Sequence, residues 1–216
     1  MALKDFKLKD EKFARTLVFI NCLVPAVLLA ADFARGRLGA NPLDFMTEAT
    51  GTLALIFLLL SLAITPLRRL TELNWLIKFR RMIGLYAFFY LSLHFLTYVW
   101  FDKFFNFAEI ITDTARRPFI LVGLTAFILM IPLAVTSTNK MIKRLGGKRW
   151  NRLHKLVYIC ATLGVIHYFL LVKSDVTKPL AYGALLAVLL WYRIYIAYFP
   201  PTKGNIISAP SPIPRR

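Results

Sequence analysis

The stretch KRWNRLHKLVYICATLGVIHYFL, Lys148 to Leu170, indicates the fold of this chain. It begins in a dense run of positive charge and continues as an apolar segment long enough to cross a membrane as a helix. It also contains His154 and His167, two of the three histidines of the protein. An ionisable side chain inside a bilayer is costly, so these histidines are candidate functional residues.

The third histidine lies in a second apolar segment of the same kind. His94 is part of RRMIGLYAFFYLSLHFLTYVW, Arg80 to Trp100. Neutral imidazole is a common axial ligand of haem iron. Histidines within or at the edge of apolar helices therefore predict a haem site, with hydrogen-bonded packing and a proton path as the alternatives.

The composition identifies a membrane protein. The 216 residues are 58% hydrophobic and have a mean hydropathy of +0.59, above the values of soluble domains. The apolar residues form blocks of about 20, the length that a helix needs to cross the hydrocarbon of a bilayer. We predict an all-α, six-helix transmembrane bundle over residues 15–199, preceded by a cytoplasmic N-terminus (1–14) and followed by a disordered cytoplasmic tail (200–216). The predicted spans are 15–34, 50–67, 81–101, 118–135, 152–172 and 180–199.

The charge distribution predicts the orientation of the bundle. Six spans put both termini on one side, and that side carries 21 of the 28 Lys and Arg residues but four of the 11 acids. The whole formal charge of +17 thus lies on one face, as in membrane proteins whose basic loops are cytoplasmic. We predict that both termini are cytoplasmic. The basic charge lies in short loops, which argues against nucleic-acid binding.

The depth of the histidines predicts how a haem would be held. His94 is 13 residues beyond Arg81 and His167 is 15 beyond Arg152. With a rise of 1.5 Å per residue, both lie about 20 Å from the inner boundary, which predicts one haem between the third and fifth helices. His154 lies at the inner edge, and its offset from His167 is about 220° on a regular helix. The two share a face only if the helix is irregular, for which Gly164 is a candidate.

Four arginines at the inner boundary are candidates for binding anionic groups. Haem propionates or a flavin phosphate are suitable ligands for such side chains. Orientation of the chain in the membrane is the alternative explanation of their charge. The four are Arg80, Arg81, Arg149 and Arg152.

Three blocks carry a resemblance to a known family. They are TGTLALIFLLLSLAITPLRR, RRMIGLYAFFYLSLH and KRWNRLHKLVYICATLGVIHY, in this order along nearly the whole chain. The sequence resembles the MsrQ (YedZ) family of haem-binding membrane subunits of bacterial methionine sulfoxide reductase systems, within the ferric-reductase-like transmembrane group. By this resemblance His94, His154 and His167 match the haem-associated histidines of the family.

The resemblance implies an electron-transfer function. Such subunits pass electrons from a cytoplasmic NAD(P)H flavin reductase or from quinol to a periplasmic molybdopterin-containing partner, MsrP, which reduces methionine sulfoxide in periplasmic proteins. Haem b is the implied cofactor, and FMN is associated with the family. Two-haem members of the wider group have another histidine about four turns earlier on the third helix, where this chain has Arg80 and Arg81. Because arginine stays charged and does not bind iron, a second haem would need His154 and a further ligand, or would be five-coordinate.

Two other functions stay open at this point. A stand-alone ferric or oxygen reductase usually needs an attached NADPH/FAD domain, for which this chain is too short. A permease with a histidine proton relay would be expected to have paired acids within its spans. The acids of this sequence lie in loops or at span ends.

Overall fold

The computed structural model describes residues 8–199, which are helical apart from short connections. The prediction of a disordered tail for 200–216 lies outside the described residues, as does the first half, 1–7, of the predicted N-terminal segment. The helices are α1 (Leu8–Ala34), α2 (Pro42–Thr71), α3 (Arg80–Leu96), α4 (Phe107–Arg116), α5 (Pro118–Val135), α6 (Asn139–Leu145), α7 (Gly147–Leu153), α8 (Leu156–Leu171) and α9 (Thr177–Tyr198). A 3₁₀-helix, Asn74–Lys78, precedes α3, and a π-helical turn, Thr97–Asp102, follows it.

Six helical segments are long and apolar enough to cross a membrane, which confirms the predicted number. Two of them combine two of the elements above, because α3 continues into its π-helical turn and α7 continues into α8. The spans are Lys12–Ala34, Pro42–Thr71, Arg80–Asp102, Pro118–Val135, Gly147–Leu171 and Thr177–Tyr198. The orientation with both termini in the cytoplasm stays a prediction.

Short helices occupy two connections that the sequence analysis treated as loops. Asn106 accepts a hydrogen bond from the Glu109 amide and caps α4. Thr138 does the same for the Met141 amide at the start of α6. Each cap satisfies an amide that has no partner within its helix, so these short segments become helical between the long spans.

The core lies where α2 packs on α3 and α5 packs on α8, the two closest helix pairs of the bundle. Ala87, Cys160 and Ala161 are almost fully buried on α3 and α8. Small side chains at these positions allow the helices to approach closely, which is how membrane helices gain packing energy without a hydrophobic driving force. Cys160 thus serves as a small apolar residue, as its place in a span suggests.

Helix α1 is attached to α3 by tyrosine hydroxyls. Pro25 lies within α1, and the Tyr90 hydroxyl enters the helix next to it. That hydroxyl accepts from the Ala26 amide at 3.2 Å and donates to the Cys22 carbonyl at 2.7 Å. The insertion replaces a hydrogen bond of the helix ladder, a known cause of bending. The ring of Tyr90 is fully buried and stacks on Phe57.

We expect Tyr90→Phe to destabilise the protein by about 2 kcal/mol, because two buried backbone groups of α1 would lose their partner. The measurement is unfolding in mixed detergent micelles, followed by circular dichroism. Tyr195→Phe is the control, since that ring is 49% exposed. Equal unfolding midpoints for the two variants would contradict the role given to the Tyr90 hydroxyl.

Candidate functional site

His94 on α3 and His167 on α8 lie next to each other in the centre of the bundle. Their ring centroids are 6.0 Å apart, and the two ring planes are inclined by 78°. The structure thus brings together the pair that was predicted from equal depth, between the third and fifth spans. Each ring comes from a different closely packed helix pair, α2 with α3 and α5 with α8.

Both imidazoles are hydrogen-bonded to the backbone of the preceding span. His94 Nδ1 lies 2.9 Å from the Thr47 carbonyl oxygen, and His167 Nδ1 lies 2.7 Å from that of Phe119. A carbonyl oxygen can only accept, so in both rings Nδ1 carries the proton and donates it. Nε2 is then the nitrogen with a free lone pair, and the hydrogen bond fixes both the tautomer and the ring orientation.

The separation of the two rings fits ligation of one metal ion. Metal–imidazole bonds of about 2 Å on opposite sides of a single ion put the ring centroids roughly 6 Å apart. Among the residues that the structure describes, no group of three or more His, Cys, Asp or Glu side chains is placed to hold a metal. Two histidine ligands without further protein ligands suit an iron whose remaining ligands come from a porphyrin.

Threonine hydroxyls connect α2 and α3 at the level of His94. Thr47 Oγ1 donates to Thr97 Oγ1 at 3.1 Å, and Thr97 Oγ1 donates to the His94 carbonyl at 2.7 Å. The π-helical turn begins at Thr97. Such turns are rare and occur frequently at functional sites. The connection holds the His94 backbone in register with the helix that accepts its Nδ1–H.

His154 has a different environment at the C-terminal end of α7. The Thr136 hydroxyl donates to the Pro132 carbonyl at 2.6 Å, so its oxygen accepts from His154 Nε2 at 3.0 Å. The imidazole also stacks on Trp150, with ring centroids 3.8 Å apart. Trp150 in turn donates from Nε1 to the Thr136 carbonyl. The Nε2 of His154 is therefore engaged within the protein, unlike that of the other two histidines.

The fifth span is irregular at His154, not at Gly164. Helix α7 ends at Leu153 and α8 begins at Leu156, so the break lies at His154 itself. Gly164 lies inside the regular helix α8. The break allows the ring to turn toward Thr136 on α5 while His167 faces the centre of the bundle.

The predicted arginines have unequal surroundings. Arg81 donates to the Asn139 side chain, and the side chains of Arg149 and Arg152 are exposed. Arg80 is half-buried, and its positive charge is close enough to His154 for an electrostatic interaction with the imidazole. The structure thus separates Arg80, which lies against the bundle, from three arginines at its surface.

Arg193 on α9 is a cation that the sequence analysis treated only as boundary charge. Its guanidinium lies 5.7 Å from the Tyr158 ring centroid, a cation–π distance. Nη2 of Arg193 is buried without a hydrogen-bond partner among the described residues. Arg69 and Arg80 are the neighbouring cations, and their positive charges repel that of Arg193. The sequence signal that could have identified Arg193 as a candidate site residue is its place among aromatic residues in WYRIYIAY.

A family comparison defines the class of this fold and site. The family described as "Ferric reductase like transmembrane component" matches residues 50–165, which run from Thr50 in α2 to Val165 in α8 and include most of both closely packed helix pairs. The chain therefore belongs to the ferric reductase-like transmembrane family.

Within this family, the chain is similar to proteins of one kind. The chain is 50% identical over 199 residues to a protein-methionine-sulfoxide reductase heme-binding subunit MsrQ from Herminiimonas arsenicoxydans, with 91% of each chain covered. MsrQ proteins from Ralstonia nicotianae and Rhodospirillum rubrum are 47% and 49% identical and cover 95% and 93% of this chain. The same matches cover 95% and 97% of the length of the Ralstonia and Rhodospirillum proteins. The predicted resemblance to MsrQ proteins is confirmed over most of the chain.

Proposed function

We propose that this protein is a haem b electron-transfer subunit that carries electrons across the inner membrane to a periplasmic methionine sulfoxide reductase. The observation that carries the proposal is the pair His94 and His167, whose ring centroids are 6.0 Å apart and whose Nδ1 atoms are hydrogen-bonded to helix carbonyls. The MsrQ relatives are named as heme-binding subunits, which supports the same cofactor here.

In this proposal the protein binds the haem and orients the two imidazole rings that hold it. His94 and His167 would supply the two axial nitrogens, while the Thr47 and Phe119 carbonyls keep the rings in the ligating tautomer. A haem held in this way takes up and releases single electrons. We propose one such haem, because Nε2 of His154 is hydrogen-bonded to Thr136 and Arg81 is bonded to Asn139.

The direction of electron flow follows from the predicted orientation. His94 and His167 lie in the half of their spans that faces away from the basic loops, which we assign to the periplasmic side. Electrons would enter from a cytoplasmic NAD(P)H flavin reductase or from quinol. They would leave to the molybdopterin subunit MsrP, where methionine sulfoxide is reduced.

A proton-coupled permease is less well supported. No acidic side chain in residues 12–199 forms a hydrogen bond or ion pair with either central histidine. Asp44 and Glu48 lie in the first turns of α2, and Glu48 is paired with exposed Lys178. A relay would need titratable partners along the path.

The test is the visible spectrum of the protein, purified after expression with ample haem supply. We expect a low-spin b-type spectrum on reduction with dithionite, and reoxidation on addition of oxidised MsrP. Rapid reoxidation by ferric chelates or oxygen without MsrP would favour the stand-alone reductase. A protein that binds no haem would overturn the proposal.

The half-buried arginines lead to a prediction about FMN. We propose that Arg80 and Arg193 bind its phosphate, since Arg193 has a buried, unpartnered nitrogen and Arg80 is one of the cations near it. We expect Arg80→Gln and Arg193→Gln to weaken FMN binding about ten-fold, the effect of losing one charge-assisted hydrogen bond. Quenching of flavin fluorescence measures the affinity. Exposed Arg149→Gln is the control, and three equal affinities would contradict this assignment.

A further inference from the structure

A glycine lies beneath each central imidazole. A Cβ atom added at Gly51 would be 2.9 Å from His94 Nδ1 and 3.0 Å from its Cε1. A Cβ atom at Gly123 would be 2.7 Å from His167 Nδ1 and 2.8 Å from its Cε1. Real Cβ atoms do not approach other heavy atoms so closely. With any residue other than glycine at these positions, the rings would have to move.

The two glycines occupy equivalent places relative to the hydrogen-bonded carbonyls. Gly51 follows Thr47 by four residues, and Gly123 follows Phe119 by four. In an α-helix the amide of residue i+4 already donates to carbonyl i. A carbonyl oxygen has two lone pairs, so it can accept a second hydrogen bond from an imidazole. To reach it, the ring must pass directly over residue i+4, where a side chain would stand.

The same three-residue arrangement therefore occurs twice in the chain. A carbonyl and a glycine four residues later, both on one span, face a histidine of the span packed against it. The second carbonyl and glycine follow the first by 72 residues, and the second histidine follows by 73. Because the arrangement occurs in both helix pairs, we do not attribute the close contact between glycine and histidine to chance.

We propose that Gly51 and Gly123 are positioning residues, each of which admits one histidine to a helix carbonyl and thereby sets where its Nε2 points. This inference rests on the proposed haem site and goes beyond it, because it assigns a role to residues other than the two histidines. Ordinary contacts to a Cβ begin at 3.4 Å, so an added methyl would push the ring by about 0.5 Å at Gly51 and about 0.7 Å at Gly123. Displacements of this size lengthen or break the Nδ1–carbonyl hydrogen bond.

Two further glycines provide matched controls on the helices that carry the histidines. A Cβ at Gly84 on α3 would meet nothing within 4 Å. A Cβ at Gly164 on α8 would lie 3.6 Å from Leu55 Cδ1, an ordinary contact. Alanine is a better helix former than glycine, so these two substitutions should leave the fold intact.

The experiment compares Gly51→Ala and Gly123→Ala with Gly84→Ala and Gly164→Ala. We expect the first two to lower haem affinity about ten-fold, as the loss of an outer-shell partner of a ligating histidine does. Their reduced haem should also bind carbon monoxide, which requires a displaced axial ligand, while the controls stay six-coordinate. Haem content, the carbon monoxide difference spectrum and the midpoint potential are the readouts.

A second measurement does not depend on haem. Side-chain ¹⁵N shifts of histidine report the tautomer, and we expect Gly123→Ala to lose the Nδ1–H form at His167 in the haem-free protein. If Gly123→Ala folds poorly, Gly123→Ala/His167→Ala should fold as well as His167→Ala alone, since the clashing ring is gone.

The outcomes separate this inference from the haem proposal. Haem bound through His94 and His167, with Gly51→Ala and Gly123→Ala indistinguishable from their controls, would overturn the positioning role and leave the haem proposal standing. A wild-type protein without haem would overturn the haem proposal, and the ¹⁵N shifts would then decide the positioning role alone.

Discussion

His167→Ala and His94→Ala are each expected to abolish the six-coordinate, low-spin haem of the purified protein. Each removes one of two neighbouring imidazoles whose ring centroids are 6.0 Å apart, and no other histidine, cysteine or acid of residues 12–199 forms a third ligating group there. Changes in the outer shell of a metal ligand cost 10- to 100-fold in affinity or activity, so we expect a loss of about 100-fold or more in electron transfer when a ligand itself is removed.

The matched control for these two variants is the third histidine. His154→Ala removes a ring that stacks on Trp150 and donates to Thr136, so its cost should be to local stability. We expect it to keep the low-spin spectrum and haem content of the wild type. A His154→Ala protein with half the haem of the wild type would show a second haem bound through His154. Retention of the low-spin spectrum by His94→Ala would exclude the central pair as its ligands.

The sequence predicted the helical bundle and the central pair because both depend on simple periodicities. Apolar blocks of span length determine the number of helices. Similar residue counts from the basic boundary, 13 and 15, predicted that His94 and His167 lie at one level. These properties are local or depend on the rise per residue, and so they can be read without knowledge of side-chain contacts.

The remaining features depend on tertiary contacts. The carbonyls of Thr47 and Phe119 become partners of the histidines only when the spans pack, and the roles of Gly51 and Gly123 arise from the same contact. The signal in the sequence that could have identified the two glycines is the repeated spacing of carbonyl, glycine and histidine. The hydrogen bond between His154 and Thr136 could not be predicted, because it depends on the break at the end of α7.

The connection between α3 and α5 contains a buried lysine surrounded by acids. Lys103 is only 7% exposed, and its Nζ lies 2.6 Å from carboxylate oxygens of both Glu109 and Asp113. Asp102 lies 3.6 Å away. The connection also needs Phe104 and Phe105 at positive φ, a conformation that is unfavourable for bulky side chains. The ion pairs therefore stabilise a turn that local preferences oppose.

These charges should stabilise the connection over a wide pH range. The hydrogen bonds to Asp113 and Glu109 raise the pKa of Lys103 above its ordinary 10.5, so this contribution is lost only as the pH rises through that higher pKa. The Lys103 ammonium lowers the pKa of Asp113 below its ordinary 3.8, so that contribution is lost only as the pH falls through the lower pKa. We expect no pH dependence from this cluster between about pH 5 and pH 9.

Lys103→Met should therefore destabilise the protein by about 3 kcal/mol at pH 7, because it leaves clustered carboxylates without their cation. The π-helical turn that starts at Thr97 ends at Asp102, next to this lysine, so the loss should also loosen the segment that follows His94. Unfolding in mixed micelles and limited proteolysis at Arg116 and Arg117 measure the two effects. The control is Lys178→Met, which breaks an exposed pair with Glu48 and should cost less than about 1 kcal/mol. Equal losses of stability in the two variants would mean that the Lys103 cluster behaves as an ordinary surface ion pair. The turn that contains Phe104 and Phe105 would then need another source of stability.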